Sequence, residues 1–276
     1  MKMDLGKAAM TTPRPLAIEA RGLVKRFDGF TAVDGVDLSV PEGAIYGVLG
    51  PNGAGKTTSL RMLLGIIDPD AGFRRVLGAE RPHDMAHAIG YLPEERGLYP
   101  TMKAFEAIAF LGALRGLPLA EGRRRGRRLL EDNGLGYAAD RQIRQLSKGM
   151  AQQVQLLGTL VHEPRLVVFD EPFSGLDALN QGRLERVIRG LAAKGTTVIF
   201  STHVIAHAER LCDEVARCHS PVRSTWRATA SRRRSGWRPA PRTAPGARRS
   251  PPRPGTRARS GTSPCRTAGS SRCCAR

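Results

Sequence analysis

Apolar and polar side chains alternate along two stretches near the start of the chain. Residues 16–24 and 31–40 follow a two-residue period, which is typical of strands with one exposed face and predicts an antiparallel sheet. The Pro-Glu-Gly tripeptide at 41–43 predicts a turn after the second strand. The nearly continuous apolar run that follows, residues 44–49, predicts a buried strand.

Further along the chain, the pattern switches between helical and strand-like periods. Helical stretches dominate residues 97–160, which predicts a helical subdomain. Four elements are then predicted in the order strand, helix, strand, helix, at residues 166–169, 178–193, 196–200 and 203–215. Such alternation predicts an α/β fold in which helices cover a mostly parallel sheet. The N-terminal strands would add an antiparallel β subdomain to this core.

The positive charge is concentrated at the C-terminus. The 276 residues carry a formal net charge of +19, and residues 219–276 contain 15 Arg but no Lys, Asp, Glu, Leu, Ile, Met or Phe. A segment with so few apolar side chains cannot offset the entropy of ordering, so we expect a disordered tail. Three origins are open: a shifted reading frame in GC-rich DNA, a basic tail that binds nucleic acid or acidic lipid, or a linker. The chain therefore divides into an N-terminal tail (1–15), a folded domain (16–218) and this tail.

The sequence offers little sign of a membrane span or of secretion. The longest apolar stretch, residues 104–114, is interrupted by Glu106 and is shorter than the roughly 18 residues that a spanning helix needs. The first 16 residues lack the apolar run of a secretory signal, so we expect a cytoplasmic protein. The five cysteines form no CxxC pair, which argues against a zinc site or a disulfide framework.

The most specific motif follows the strand predicted at 44–49. It reads Gly-x-x-x-x-Gly-Lys-Thr over residues 50–57, and a helix is predicted after it. Glycines let backbone N–H groups face a polyphosphate, Lys56 would reach the β- and γ-phosphates, and Thr57 would hold Mg²⁺. The less specific alternative is a glycine turn that happens to carry a lysine. The predicted phosphate-binding residues are Gly50, Pro51, Asn52, Gly53, Ala54, Gly55, Lys56, Thr57 and Thr58.

A pair of carboxylates ends the strand predicted at 166–169. Asp170 would bind Mg²⁺ through water, and Glu171 would orient and deprotonate an attacking water molecule. Taken alone, this pair could simply be a strand running into a polar loop. Together with the phosphate loop, it predicts a metal ligand and a general base.

In their order and spacing, these residues resemble the ATP-binding subunit of an ABC transporter over about residues 16–215. The resemblance rests on a Walker A loop (50–58), a signature loop (146–150), a Walker B strand (166–171), a D-loop (174–177) and a Q-loop (91–100). The Q-loop resembles that of exporter-type cassettes for sodium extrusion and of the ABC-2 type. The fold that this resemblance implies has a P-loop NTPase core.

The resemblance also implies roles for residues outside the two motifs. Phe27 falls where an aromatic ring stacks on adenine, and His203 falls at the switch histidine. Glu94 occupies a metal-binding position where the family usually has Gln. Ser147 and Gly149 would donate to the γ-phosphate bound by a second copy, although Lys148 and Met150 depart from the LSGGQ pattern.

The implied activity is ATP hydrolysis, with ATP and Mg²⁺ as ligands. Two ATP-binding subunits, identical or different, would close on ATP and drive a membrane-spanning permease from the cytoplasmic face of the cell membrane. Nucleic acid is not expected as a partner. Two alternatives stay open: a soluble ABC-type ATPase that acts on nucleic acid or ribosomes, and an inactive cassette damaged at its C-terminus. The second arises because the family has a β-hairpin and a helix after about residue 215, whereas residues 217–224 show no strand pattern.

Overall fold

The computed structural model describes residues 14–95, 97–218, 226–233 and 236–239. Its strands are β1 (Leu16–Phe27), β2 (Phe30–Pro41), β3 (Ile45–Leu49), β4 (Ala71–Val76), β5 (Ile89–Leu92), β6 (Leu166–Phe169), β7 (Thr197–Thr202), β8 (Glu214–Cys218), β9 (Trp226–Arg233) and β10 (Gly236–Pro239). Its α-helices are α1 (Lys56–Leu63), α2 (Ala104–Ala113), α3 (Leu119–Asp132), α4 (Lys148–Leu160), α5 (Ala178–Ala193) and α6 (Ile205–Leu211). Short 3₁₀ helices occupy Pro82–Ala88, Gly136–Ala138 and Ile143–Gln145.

The N-terminal sheet is antiparallel, with the strand order β2-β1-β4. A two-residue turn of Asp28 and Gly29 joins β1 to β2, and φ is positive at both residues, at 40° and 81°. Positive φ at both central positions is the geometry that matches the twist of a tight hairpin, and an Asp-Gly pair favours it. The predicted antiparallel subdomain is confirmed, whereas the sequence analysis missed β4.

The larger sheet has the strand order β10-β9-β8-β3-β7-β6-β5. The five strands from β8 to β5 run parallel to one another, which confirms the predicted parallel core. All five residues of β3 are buried, as the apolar run at this position predicts. The carboxyl ends of β3, β6 and β7 therefore meet at one edge of the sheet.

Helices cover both faces of this sheet. One apolar cluster joins the antiparallel subdomain and α1 to one face, with Leu60 and Val168 among its members. A second cluster joins α5 and α6 to the other face, with Phe169 and Ile188 among its members. Burial on both faces explains why β6 is an unbroken apolar run rather than an alternating one.

The helices α2, α3 and α4 form a third apolar cluster within residues 97–160. The first turn of α4 is capped by Ser147, whose hydroxyl accepts a hydrogen bond of 3.2 Å from the backbone N–H of Met150. The helix α5 begins and ends at the predicted residues, 178 and 193. Within the described ranges, no helix combines the length and apolarity needed to cross a bilayer.

The prediction of one helix over residues 203–215 is wrong at its C-terminal end. The helix α6 ends at Leu211, because Cys212 adopts extended backbone angles. Residues 214–218 instead form β8, which pairs with β3 in parallel. The sequence was misleading here because two adjacent buried residues, Val215 and Ala216, fit a helical stripe as well as a strand.

The structure also departs from the expected C-terminal tail. Residues 217 and 218 continue β8, where no strand pattern was seen. Residues 226–233 and 236–239, expected to be disordered, form β9 and β10; β9 pairs antiparallel with β8 and with β10. The physical reason is that main-chain groups on the edge of a sheet pair with any extended segment, so a strand needs few apolar side chains there. The rest of the 219–276 prediction and residues 1–13 lie outside the described residues.

Candidate functional site

The glycine-rich loop 50–55 connects β3 to the first residue of α1. Gly53 and Gly55 have positive φ, at 78° and 75°, a conformation that side chains with a Cβ adopt at a cost. Gly50 instead owes its identity to packing, because a Cβ there would lie 2.9 Å from the Cβ of Cys218. The Cys218 thiol also donates a 3.1 Å hydrogen bond to the carbonyl of Ala54. Strand β8 therefore packs against the loop through Cys218, a contact that the sequence analysis missed.

The loop lines a cavity of about 490 Å³. Its walls are residues 52–58 together with Phe27, Phe30, Ala32, Glu94 and Glu171. Seven of the nine phosphate-loop residues, the aromatic residue and the Q-loop glutamate named from the sequence thus border one space.

Lys56 is buried at the phosphate end of this cavity. Its side chain is 6% exposed, and its Nζ donates to the carbonyl oxygens of Gly50 at 2.9 Å and Pro51 at 3.0 Å. Nζ also lies 3.0 Å from Glu171 Oε1, and the Glu171 side chain is 8% exposed. A buried charge is tolerated when it is paired and hydrogen-bonded, as it is here.

Asp170 is hydrogen-bonded through only one of its two carboxylate oxygens. Oδ1 accepts from the hydroxyls of Thr57 at 3.0 Å and Ser201 at 2.7 Å. Oδ2 is buried and has no hydrogen-bond partner among the described residues. A buried carboxylate oxygen left unsatisfied is costly, and a hard cation such as Mg²⁺ prefers oxygen ligands. Asp170 and Thr57 therefore fit a magnesium site.

Glu171 has an unusual backbone conformation. Its φ is 46°, in the left-handed region that non-glycine residues rarely adopt. Its N–H donates a 2.7 Å hydrogen bond to the Ser201 hydroxyl, which fixes this turn directly after β6. Ser201 thus binds both members of the carboxylate pair, although the sequence analysis did not single it out. Strained residues of this kind often lie in functional sites.

His203 lies on the other side of the Glu171 carboxylate. Its Nδ1 is 3.0 Å from Glu171 Oε2. An ionised carboxylate only accepts hydrogen bonds, so Nδ1 carries the hydrogen in this pair. Glu171 is consequently held between Lys56 at one oxygen and His203 at the other.

Two phenylalanines line this cavity together with the phosphate loop. Phe27 and Phe30 are 44% and 55% exposed and face each other across the β1–β2 turn. Phe27 was expected here from the resemblance, but Phe30 was not. The Asp-Gly pair at 28–29 is the sequence signal that would have found it, since a two-residue hairpin places the flanking residues opposite each other.

Six of the sequence-predicted residues do not line this cavity. Gly50 and Pro51 accept from Lys56, Asp170 accepts from Thr57, and His203 contacts Glu171, so these four lie next to its walls. The other two lie elsewhere. Ser147 is exposed and caps α4, and Gly149 lies in the first turn of the same helix. A Cβ on Gly149 would lie 3.5 Å from Asn180 Nδ2, so this turn packs against the start of α5. The N-terminus of α4 therefore forms a separate surface.

The geometry brings together the parts that phosphoryl transfer to water requires. It supplies a cradle of backbone N–H groups, a buried lysine, an oxygen-ligand site and a positioned carboxylate. The aromatic end of the cavity supplies flat apolar surface beside this machinery.

Comparisons with known proteins agree with this geometry. The model of the ABC transporter family matches residues 33–174, half of the chain. The chain is 37% identical over 210 residues to the daunorubicin/doxorubicin resistance ATP-binding protein DrrA of Streptomyces peucetius, covering 75% of this chain and 64% of that protein. It is 40% identical over 201 residues to the Nod factor export ATP-binding protein I of Ralstonia nicotianae, covering 72% and 63%. The chain thus spans just under two thirds of each relative.

A solved structure of an ATP-binding subunit of an ABC transporter is also similar. It superposes with a TM-score of 0.67 at 31% sequence identity, covering 75% of this chain and 87% of that one.

Proposed function

The chain belongs to the ABC transporter family, among its ATP-binding proteins, and we propose that it binds and hydrolyses ATP to power a membrane exporter. The observation that carries this proposal is the single cavity in which Lys56 and Glu171 meet, with Thr57 and Asp170 beside them.

Phosphate binding falls to the glycine-rich loop and Lys56. The backbone N–H groups at the start of α1 and the positive end of its dipole favour the negative charge of the triphosphate. Lys56, now paired with Glu171, exchanges this carboxylate for the β- and γ-phosphates. Thr57 and Asp170 would hold Mg²⁺, which when bound would neutralise charge on the phosphate oxygens.

Hydrolysis falls to Glu171 and His203. A water oxygen attacks the γ-phosphorus, the bond to the β–γ bridging oxygen breaks, and ADP and inorganic phosphate form. Glu171 orients this water and accepts its proton. The hydrogen bond from His203 Nδ1 to Glu171 Oε2 keeps the carboxylate oriented toward the reaction centre. Glu94, exposed at the cavity wall, would supply a further oxygen ligand for the metal ion.

We further propose that two ATP-binding subunits pair during the cycle. Ser147 and Gly149 lie outside the cavity of their own chain, on the exposed start of α4. The N-terminus of a helix attracts anions, so this surface suits a phosphate bound by a second subunit. A permease on the cytoplasmic face of the membrane would convert closure of the pair into transport. The names of the relatives, one for drug resistance and one for export, support the export direction.

The alternative of an ATPase that acts on nucleic acid receives less support. Its strongest candidate surface within the described residues, the arginine run 123–128, is largely neutralised. Arg124 and Arg125 pair with Glu121, and Arg127 pairs with Asp140. Salt-dependent nucleic-acid binding needs cations that are available to phosphates.

The test is ATP binding and phosphate release by the purified full chain with Mg²⁺. We expect both activities, and we expect Lys56→Ala to abolish them because it removes the buried phosphate-binding charge. Lys194→Ala, at the end of α5 and outside the cavity, is the matched control. A well-folded chain that does not bind ATP would instead support the inactive cassette, and hydrolysis that requires RNA or DNA would support the soluble ATPase.

A further inference from the structure

Phe27 and Phe30 are two exposed rings in the wall of the nucleotide cavity. They are register partners in the β1–β2 hairpin. Side chains directly opposite each other in an antiparallel pair lie on the same face of the sheet. Both residues line the cavity that the glycine-rich loop also lines. The two rings therefore present one apolar surface toward the same space.

Phe30 lies on the exposed face at the start of its strand. It is 55% exposed, whereas Val33, three residues further along β2 and therefore on the opposite face, is fully buried in the core of the subdomain. A single exposed apolar side chain is common, but two neighbouring rings that line one cavity form a candidate binding surface. The site residues named from the sequence leave Phe30 without a function.

Phe27 has a neighbour that Phe30 lacks in the described structure. Lys25 Nζ lies 5.5 Å from the centroid of the Phe27 ring and also donates a 2.8 Å hydrogen bond to Asp70. A cation attracted to an aromatic ring occupies part of the surface that a base would use. Phe30 is the more accessible of the two rings.

We propose that Phe30 is a second base-contacting residue, which extends the aromatic surface of Phe27 and makes recognition of the base depend on ring area. This inference rests on the proposed function. The three cavity-lining residues that the β1–β2 hairpin contributes, Phe27, Phe30 and Ala32, are apolar. Contact with the flat face of a base therefore dominates over hydrogen bonds to its edge. A purine offers more face than a pyrimidine, so Phe30 favours purine nucleoside triphosphates.

The experiment is equilibrium binding of MgATP, MgCTP and inorganic tripolyphosphate to the full chain. Alanine substitution of a base-stacking aromatic residue weakens binding by about 5-fold or more. We expect Phe30→Ala to weaken ATP binding by this factor and to leave tripolyphosphate affinity unchanged. The ratio of ATP affinity to CTP affinity should decrease. Phe30→Trp should restore ATP affinity, whereas Phe30→Leu, which keeps apolar bulk without a ring, should not.

Two comparisons make the result decisive. Tyr137→Ala removes a ring that is 67% exposed on the helical subdomain and should leave ATP affinity unchanged. Phe27→Ala shows how much ATP affinity is lost when the aromatic residue expected to stack on the base is removed. Unchanged ATP affinity in Phe30→Ala, beside a clear loss in Phe27→Ala, would overturn the inference, and so would full rescue by leucine.

Failure of the proposed function has a different outcome. If the parent chain binds neither ATP nor tripolyphosphate, the phosphate site itself is not functional. If the parent binds both, and ATP more tightly, the phosphate site stands. The contribution of Phe30 is then measured as the change in the ratio of ATP affinity to tripolyphosphate affinity.

Discussion

The ammonium of Lys56 and the carboxylate of Glu171 form a buried ion pair, with Nζ 3.0 Å from Oε1. The pair joins the phosphate cradle after β3 to the proposed general base after β6, although 115 positions separate the two residues in the sequence. Removing one partner of a buried pair leaves an uncompensated charge, so each residue stabilises the other before nucleotide arrives. In the proposed reaction, binding of the γ-phosphate to Lys56 would release one oxygen of Glu171 toward water. Substrate binding and activation of the proposed base would thereby be linked.

The first prediction concerns Glu171. Glu171→Gln removes the base but keeps the size and shape of the side chain, so the phosphate cradle stays intact. We expect ATP hydrolysis to fall by about 100-fold or more, the usual contribution of a general base. ATP binding should be retained. Phosphate release and nucleotide retention by the purified chain measure the two effects separately.

The matched control for that substitution is Glu80→Gln. Glu80 is exposed and pairs with Arg75 on the surface, outside the nucleotide cavity. Its hydrolysis rate should equal that of the parent. Hydrolysis by Glu171→Gln at the parental rate would show that another group accepts the proton.

The second prediction concerns Ser201. Its hydroxyl donates to Asp170 Oδ1 and accepts from the Glu171 N–H, both at 2.7 Å. Ser201→Ala leaves both groups with one buried partner fewer, which should cost about 1–3 kcal/mol of unfolding free energy. Hydrolysis should fall more than ATP binding, because the change displaces the carboxylates rather than the phosphate loop. Denaturant unfolding measures the loss of stability, and separate kcat and KM values measure the two effects on activity. If Thr197→Ala lowered stability and activity as much as Ser201→Ala, a specific role of Ser201 would be contradicted.

The sequence predicted those parts of the fold and the site whose signal is local. The eight-residue phosphate motif, the apolar run of β6 and the periodicity of α5 are each contained in one stretch of chain. Ser201, Phe30 and Cys218 were missed because their roles depend on contacts with distant residues. Cys218, for example, supports Ala54 across 164 positions. No period in the sequence reports such a contact.

The strands β8 to β10 show a second limit. Residues 214–218 carry too few apolar positions to separate a strand from the end of a helix. The apolar side chains of residues 226–239 are two Trp and two Ala, and pairing with the sheet edge is a property of the main chain. Composition predicted disorder there because it weighs side chains alone.

The third prediction concerns packing beneath the phosphate loop. A Cβ on Gly47 would lie 2.6 Å from Cys212 Sγ, closer than any normal contact. Gly47→Ala should therefore lower the unfolding free energy by about 1–3 kcal/mol. Combining it with Cys212→Ala should recover part of that loss, and a double-mutant cycle measures the coupling.

Gly190→Ala is the control of opposite sign. Gly190 lies within α5, with nothing within 4 Å of its added Cβ. Alanine there should stabilise the chain by about 0.5–1 kcal/mol, because glycine loses more conformational entropy in a helix. Strictly additive effects of Gly47→Ala and Cys212→Ala would contradict the predicted clash.

The fourth prediction concerns pH and His207. The His207 ring lies 4.1 Å from the Phe173 ring, centroid to centroid, and burial lowers its pKa, with Arg210 adding to the effect. Burial likewise lowers the pKa of His162. Below the ordinary histidine pKa of about 6.5, the unfolded chain binds more protons than the folded chain, so stability falls as pH falls through this value. The slope is at most about 1.4 kcal/mol per pH unit for each histidine. The unfolding free energy, measured by denaturant unfolding at several pH values between 5 and 7.5, should depend less on pH in His207→Gln than in the parent. It should depend still less on pH in the double variant with His162→Gln. A double variant as steep as the parent would assign the pH dependence to other groups.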